Sequence, residues 1–187
     1  MLPNRKRFAA AAIAAAVASS APVLAQNTLN VICPVQAEWC NAAAVAFEKE
    51  TGIKVGMTLK GSGESFAQIA AEKANPKLDV WFGGTGDPHL QAAEQGLLEE
   101  YKSPLLAQLQ PWAQRQAEQS KYRTVGIYLG ALGIGYNTEL LAKKKVAAPA
   151  CWKDLVKPEF AGEVQMANPN ASGTAYTAIA TLVQVFG

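Results

Sequence analysis

Residues 29–33 read Leu-Asn-Val-Ile-Cys, a short apolar run that Pro34 stops, because proline cannot donate to a sheet ladder. A loop at residues 34–39 follows. Ala44, Val45, Phe47 and Glu48 then set a helical pattern over residues 40–51, and Gly52 is placed to end it. Residues 53–59 alternate apolar with small or polar side chains, the period of a strand. Strand, helix and strand in that order favour a parallel sheet. A second helix is predicted over residues 65–74, with Phe66, Ile69 and Ala70 on one face and Asn75-Pro76 closing it. Residues 78–82 form a third strand. The next helix begins at Asp87 and Pro88, a favoured N-cap residue and a residue suited to a first helical turn, and Gly96 ends it.

Residues 104–120 carry Leu105, Leu106, Leu109 and Trp112 at helical spacing, which predicts one continuous helix with Trp112 in the core. Residues 122–136 form a long strand-like run with Gly126, Gly130, Gly133 and Gly135, glycines that mark bends where backbone passes close to backbone. The run is read as a crossing from one lobe into another. Asn137 caps a helix over residues 138–145, whose terminal lysines suit its negative end. An irregular connection at residues 149–162 leads to a last strand at residues 163–167. Residues 176–186 are a helical run apolar on nearly every side, which calls for covering elements. The chain is therefore expected to continue past Gly187.

The first residues change the picture of charge. Arg5, Lys6 and Arg7 precede an apolar stretch at residues 8–17, and Val23-Leu24-Ala25 fits a cleavage site, so residues 1–25 read as an export signal too short to span a bilayer. Its removal takes three of the 17 basic residues and none of the 15 acidic ones. The exported protein is then close to neutral, without the basic field that nucleic acid would require. In an oxidising compartment Cys33 and Cys40 are spaced to bridge a strand end to the next helix, although two buried thiols fit the same spacing. Cys151, beside Trp152, reads as a packed free thiol.

Candidate chemistry gathers at three helix starts rich in glycine and hydroxyl side chains. These hold Ser62, Gly63 and Ser65, then Gly84, Thr85 and Gly86, then Ser172, Gly173 and Thr174. A helix N-terminus offers unpaired N–H donors and about half a positive charge, so three starts used together make an anion-holding cleft. Gln36, Glu38 and Trp39 in the first loop are candidates to recognise the organic part of a ligand. Catalytic signatures are absent: no G-x-S-x-G, S-x-x-K, H-E-x-x-H or Walker A pattern occurs. His89 is the only histidine and reads as structural, and Glu64 is the only local base near Ser62 and Ser65.

Phe47-Glu48-Lys49-Glu50-Thr51-Gly52-Ile53-Lys54-Val55, Leu78-Asp79-Val80-Trp81, Trp152-Lys153-Asp154-Leu155, Pro158-Glu159-Phe160-Ala161-Gly162 and Ala167-Asn168-Pro169 with Ser172-Gly173-Thr174 follow in order. Together they resemble the extracytoplasmic solute-binding proteins of ABC importers, in the ferric-iron or AfuA-like branch, which also contains phosphonate and sugar-phosphate binders. The resemblance implies a type II periplasmic-binding α/β fold of two lobes joined by hinge strands, with ligand captured by hinge closure. It divides this chain into an N-terminal α/β lobe at residues 26–126 and a crossing with an incomplete second lobe at residues 127–187. It implies a periplasmic monomer that needs no cofactor, delivers its ligand to an inner-membrane permease and binds no nucleic acid. Iron binders of the family place a His in the first loop and a carboxylate after the third strand. Here the first loop has no His and the loop after the third strand has no carboxylate before Asp87, so a small phosphate-, phosphonate- or carboxylate-bearing solute ranks above ferric ion. A periplasmic hydrolase and a sensory binding protein are the remaining alternatives.

Overall fold

The computed structural model describes residues 28–187; the export signal expected at residues 1–25 lies outside the described residues. The chain begins with strand β1 (Thr28–Cys33), helix α1 (Ala37–Thr51), strand β2 (Lys54–Leu59) and helix α2 (Ser62–Ala71). Strand β3 (Val80–Trp81) and helix α3 (Gly86–Glu94) complete a three-stranded sheet of order β2-β1-β3 in which β1 pairs in parallel with both neighbours. Thr28 stands opposite Lys54 and Val31 opposite both Met57 and Val80. The central strand is the most protected, with Val31, Ile32 and Cys33 buried. This is the parallel strand, helix, strand arrangement that the apolar pattern implies.

Local chemistry explains the element ends. Gly52 adopts φ +73° and returns its N–H to the Glu48 carbonyl, the left-handed stop that only glycine takes without strain. Strand β3 is shorter than the expected residues 78–82, but Asp79 N–H donates to the Asn30 carbonyl and Phe82 N–H to that of Ile32, so the ladder runs on at both ends. The apolar face of α1 is placed differently from the pattern: Val45 is exposed, and Cys40 is the side chain of this helix that is fully buried.

Residues 104–120 are not one helix. A 3₁₀ turn (Leu106–Gln108) is followed by two extended residues and then helix α4 (Pro111–Gln119). Pro111 causes the break, since its ring pushes the preceding residue out of the helical region, and Gln110 sits at φ −61°, ψ 150°. Trp112 is half-buried, with its ring pressed against Gly126, where a methyl group would overlap it.

The second part of the chain holds helix α5 (Thr138–Lys144), 3₁₀ turns at Trp152–Val156 and Pro158–Phe160, and helix α6 (Gly173–Phe186). Asn137 caps α5 as expected, its Oδ1 accepting the Leu140 N–H at 2.9 Å. Asp154 organises the irregular connection. Its carboxylate takes a hydrogen bond from Lys157 and the N–H groups of Ala150 and Cys151, and these partners hold its pKa at about 2. Cys151 itself is exposed, not packed, because its backbone rather than its thiol is what the turn uses.

The strands expected at residues 122–136 and 163–167 do not form ladders among the described residues. A strand needs a hydrogen-bonded neighbour to satisfy its backbone, and among the described residues neither segment has one. Their apolar side chains are correspondingly exposed, including Ile127, Leu129, Val164 and Met166. Along α6, Tyr176, Ile179, Val183 and Phe186 are exposed as well, and among the described residues no helix is long and apolar enough to cross a membrane.

Cys33 and Cys40 are joined by a disulfide, and both residues are fully buried. The bridge closes a short loop, which limits its effect on the unfolded chain to about 2–3 kcal/mol. Cys33→Ala with Cys40→Ala should therefore lower unfolding free energy by about that amount, measured by urea titration of the oxidised protein against the double variant.

Candidate functional site

The glycine turn at the carboxyl end of β3 is the centre of the site. Gly83 and Gly84 have φ +87° and +97°, and Thr85 returns to an extended conformation as the N-cap of α3. The cap is therefore Thr85 and not Asp87, which lies inside the first turn. Thr85 makes no capping hydrogen bond with its side chain. One of the two amides that a capping side chain can reach is missing, since the third helical residue is Pro88, which has no N–H to give. Thr85 Oγ1 is left buried without a partner.

The other two glycine-rich starts come to the same place. Helix α2 begins at Ser62 rather than Ser65, because Gly61 takes the N-cap position and the Glu64 carboxylate reaches back to its N–H at 2.9 Å. Ser62 is buried, and its Oγ lies 3.4 Å from the Thr85 backbone nitrogen that donates to it. At the start of α6, Gly173 presses against both. A Cβ built there would overlap Thr85 Oγ1 and stand 2.7 Å from Ser62 Oγ. The loop before α6 also docks on α2, with Gly63 N–H donating to the Ala171 carbonyl at 3.1 Å. Three helix N-termini thus meet around Ser62, Thr85 and Gly173.

Several donors at this meeting point have no acceptor. Among the described residues no acceptor pairs with the amides of Ser62, Gly86, Gly173 or Thr174. Ser65 Oγ is fully buried and likewise unpartnered. Unpaired N–H groups at helix starts are the expected first-turn orphans, and here they come from separate helices. No lysine or arginine side chain is hydrogen-bonded into the cluster among the described residues, so its positive character comes from backbone dipoles.

The remaining candidates are distributed unevenly. Ser172 accepts from the Ala175 N–H at 3.3 Å, so its hydroxyl caps α6. Thr174 is exposed and, with Ser172, borders a separate cavity of about 650 Å³. That cavity is walled mainly by apolar side chains, among them Leu132, Ile134, Trp152, Phe160 and Leu182, with Lys144, Glu159 and Glu163 also on its lining. Gln36 is the N-cap of α1 and Glu38 lies in its first turn; both are exposed and neither side chain bonds to the cluster. Trp39 is exposed and meets the Tyr128 ring edge-on at 5.7 Å.

Tyr128 is the participant that the sequence pattern did not single out. Its hydroxyl accepts from Gly84 N–H at 2.7 Å and donates to the Gly84 carbonyl at 2.9 Å. The contact spans 44 residues, and an aromatic residue within a glycine-rich run carries no local sign of it. His89 holds the same turn from the other side, with Nε2 2.8 Å from the Gly83 carbonyl and its ring stacked on Trp81 at 3.8 Å. Burial depresses its pKa, and the Gly83 hydrogen bond opposes that shift more weakly.

Comparison with known proteins gives three concordant findings. The family model described as bacterial extracellular solute-binding protein matches residues 75–187. An uncharacterized protein of Haemophilus influenzae is 44% identical over 178 residues, covering 95% of this chain and 51% of that protein. Two solved structures superpose well. The periplasmic binding protein P5PA gives a TM-score of 0.81 at 44% identity, over 86% of this chain and 51% of that one. The periplasmic binding protein AfuA from Actinobacillus pleuropneumoniae, with exogenous fructose-6-phosphate bound, gives 0.77 at 44% identity, over 86% and 50%. The chain spans about half the length of the relatives it matches.

Two outcomes are expected. Gly173→Ala should destabilise the protein by about 1–3 kcal/mol in denaturant unfolding, because the added methyl meets Thr85 and Ser62 in a packed contact. His89 has a folded pKa below its unfolded value, so the unfolded chain takes up the proton first as pH falls below about 6.5. Stability from this group is complete above that pH and declines beneath it. In His89→Gln the urea midpoint should consequently depend less on pH between about 6.5 and 5 than in the wild type.

Proposed function

Because the chain belongs to the bacterial extracellular solute-binding proteins, we propose that the full-length protein is the binding component of an ABC importer and captures a small phosphate-bearing solute. The observation that carries this reading is the meeting of three helix N-termini at Ser62, Thr85 and Gly173, with unpaired amides and hydroxyls pointing to an anionic guest. The ligand exchanges its water for these donors in a cleft between two lobes, is shielded by closure, and passes unaltered to a permease in the inner membrane. Release is by reopening, with no covalent step. The protein does this work in the periplasm, reached through the export signal expected at residues 1–25.

Among small anions a sugar phosphate is the best supported class. AfuA, similar to this chain over half its own length, has fructose-6-phosphate bound. A phosphoryl group has three oxygens to distribute among separate helix starts, and the exposed Trp39 beside Tyr128 offers an aromatic face for the carbon skeleton. Ferric ion ranks second. Its preferred ligands are anionic oxygens, whereas the groups assembled here are neutral donors, which repel a cation.

Thr85 provides the test. Its hydroxyl has no structural partner to lose, so Thr85→Val should leave the melting temperature of the full-length protein unchanged or raised. The same variant should weaken binding of fructose 6-phosphate about 10- to 100-fold in calorimetry, the range for one hydrogen bond to a charged oxygen. Equal affinity in both proteins rejects the assignment of this cluster as the phosphate site.

A further inference from the structure

We propose that Tyr128 is a positioning residue for the anion site: from the lobe crossing, its hydroxyl fixes the glycine turn that presents the Thr85 and Gly86 donors. The inference rests on the anion-cleft reading above and adds a residue that does not touch the ligand. Two consecutive glycines at φ +87° and +97° have little conformational preference of their own, so the turn requires external restraint to hold one shape. A phenol hydroxyl can donate once and accept at the same time. Tyr128 uses both capacities on a single residue, accepting from Gly84 N–H and donating to Gly84 O, which fixes the orientation of the peptide groups on either side.

The surrounding contacts make this restraint specific. A Cβ built at Gly83 would stand 3.5 Å from the Tyr128 hydroxyl and 3.1 Å from Val35, so the ring and the first loop sandwich the turn. Gly84 is enclosed on its other side by Pro34 and Ser62 Oγ, 2.6 and 2.7 Å from its own built Cβ. With Gly84 held there, Thr85 N–H is aimed at Ser62 Oγ and the amide of Gly86 is left unpaired. His89 secures Gly83 from within the first lobe, whereas Tyr128 secures Gly84 from residues 122–136, outside the sheet. Two of the three side-chain hydrogen bonds on Gly83 and Gly84 are therefore supplied by the crossing, and the donors come into register only when Tyr128 is seated against the turn.

The test uses full-length protein and Tyr128→Phe, which keeps the ring and its edge contact with Trp39 and removes only the hydroxyl. Calorimetry with fructose 6-phosphate and with inorganic phosphate gives affinity, and amide exchange by mass spectrometry follows residues 82–88. The expected result is binding about tenfold weaker, faster exchange confined to the turn, and a melting temperature only slightly lowered, as loss of two solvent-exposed hydrogen bonds allows. Wild-type binding with an unaltered Tyr128→Phe affinity overturns the positioning role alone. Weaker binding with unaltered exchange in the turn also overturns it, since Tyr128 would then be a direct ligand contact. Wild-type protein that binds neither probe overturns both the anion-cleft reading and this inference. Should the variant fail to fold, exchange of the wild-type turn decides: Gly84 N–H must exchange more slowly than Gly86 N–H, and equal rates overturn the proposal.

Discussion

The site depends on one steric constraint, the absence of a side chain at Gly173. Helix α6 can bring its first turn against Ser62 and Thr85 only because a hydrogen stands where any other residue would place a carbon. Gly63 and Gly61 repeat the condition on the facing helix, where a built Cβ would overlap the carbonyls of Asn170 and Ala171. The approach lets Gly63 N–H reach Ala171 O, so a backbone hydrogen bond between the first and second parts of the chain replaces what side-chain packing would otherwise supply. Positive helix ends do not attract one another, and this close packing is what holds three of them together.

The parallel sheet supplies the frame for that contact. In a parallel arrangement every strand delivers its following helix to the same edge, so α1, α2 and α3 all begin on the carboxyl side of β1, β2 and β3. Loops after the strands are short, and each is tied down: the first by the disulfide, the second by Glu64 on Gly61, the third by His89 and Tyr128. The chain's later segments add the fourth wall through Ser172 and Gly173. Rigid loops on a fixed sheet edge suit recognition, because little ordering has to accompany binding.

Much of this was legible in the sequence, and for reasons that can be named. Residues 29–59 carry local signals, apolar runs of strand and helix period closed by Pro34 and Gly52, and the elements follow them closely. The three glycine-rich starts were visible for the same reason, since Gly, Ser and Thr mark helix entries through local backbone chemistry. Errors arose where a neighbour decides. Pro111 breaks the run at residues 104–120 through an effect on Gln110 that periodicity ignores. Residues 122–136 and 163–167 have strand composition, but strand identity belongs to a pair, and no partner lies among the described residues. Thr85 displaced Asp87 as cap because Gly83 and Gly84 carry the turn up to residue 85, and Tyr128 was invisible because only the folded chain brings it to Gly84.

The Cys33–Cys40 bridge has a consequence beyond its effect on folding. The loop that it closes contributes Pro34 and Val35, the side chains against which Gly84 and Gly83 lie. A thiol–disulfide equilibrium at this position therefore reaches the cleft within two residues. The covalent link between Cys33 and Cys40 and the shape of the turn at residues 83–84 are thus coupled through two side chains, and a change in the one loop is felt directly in the other.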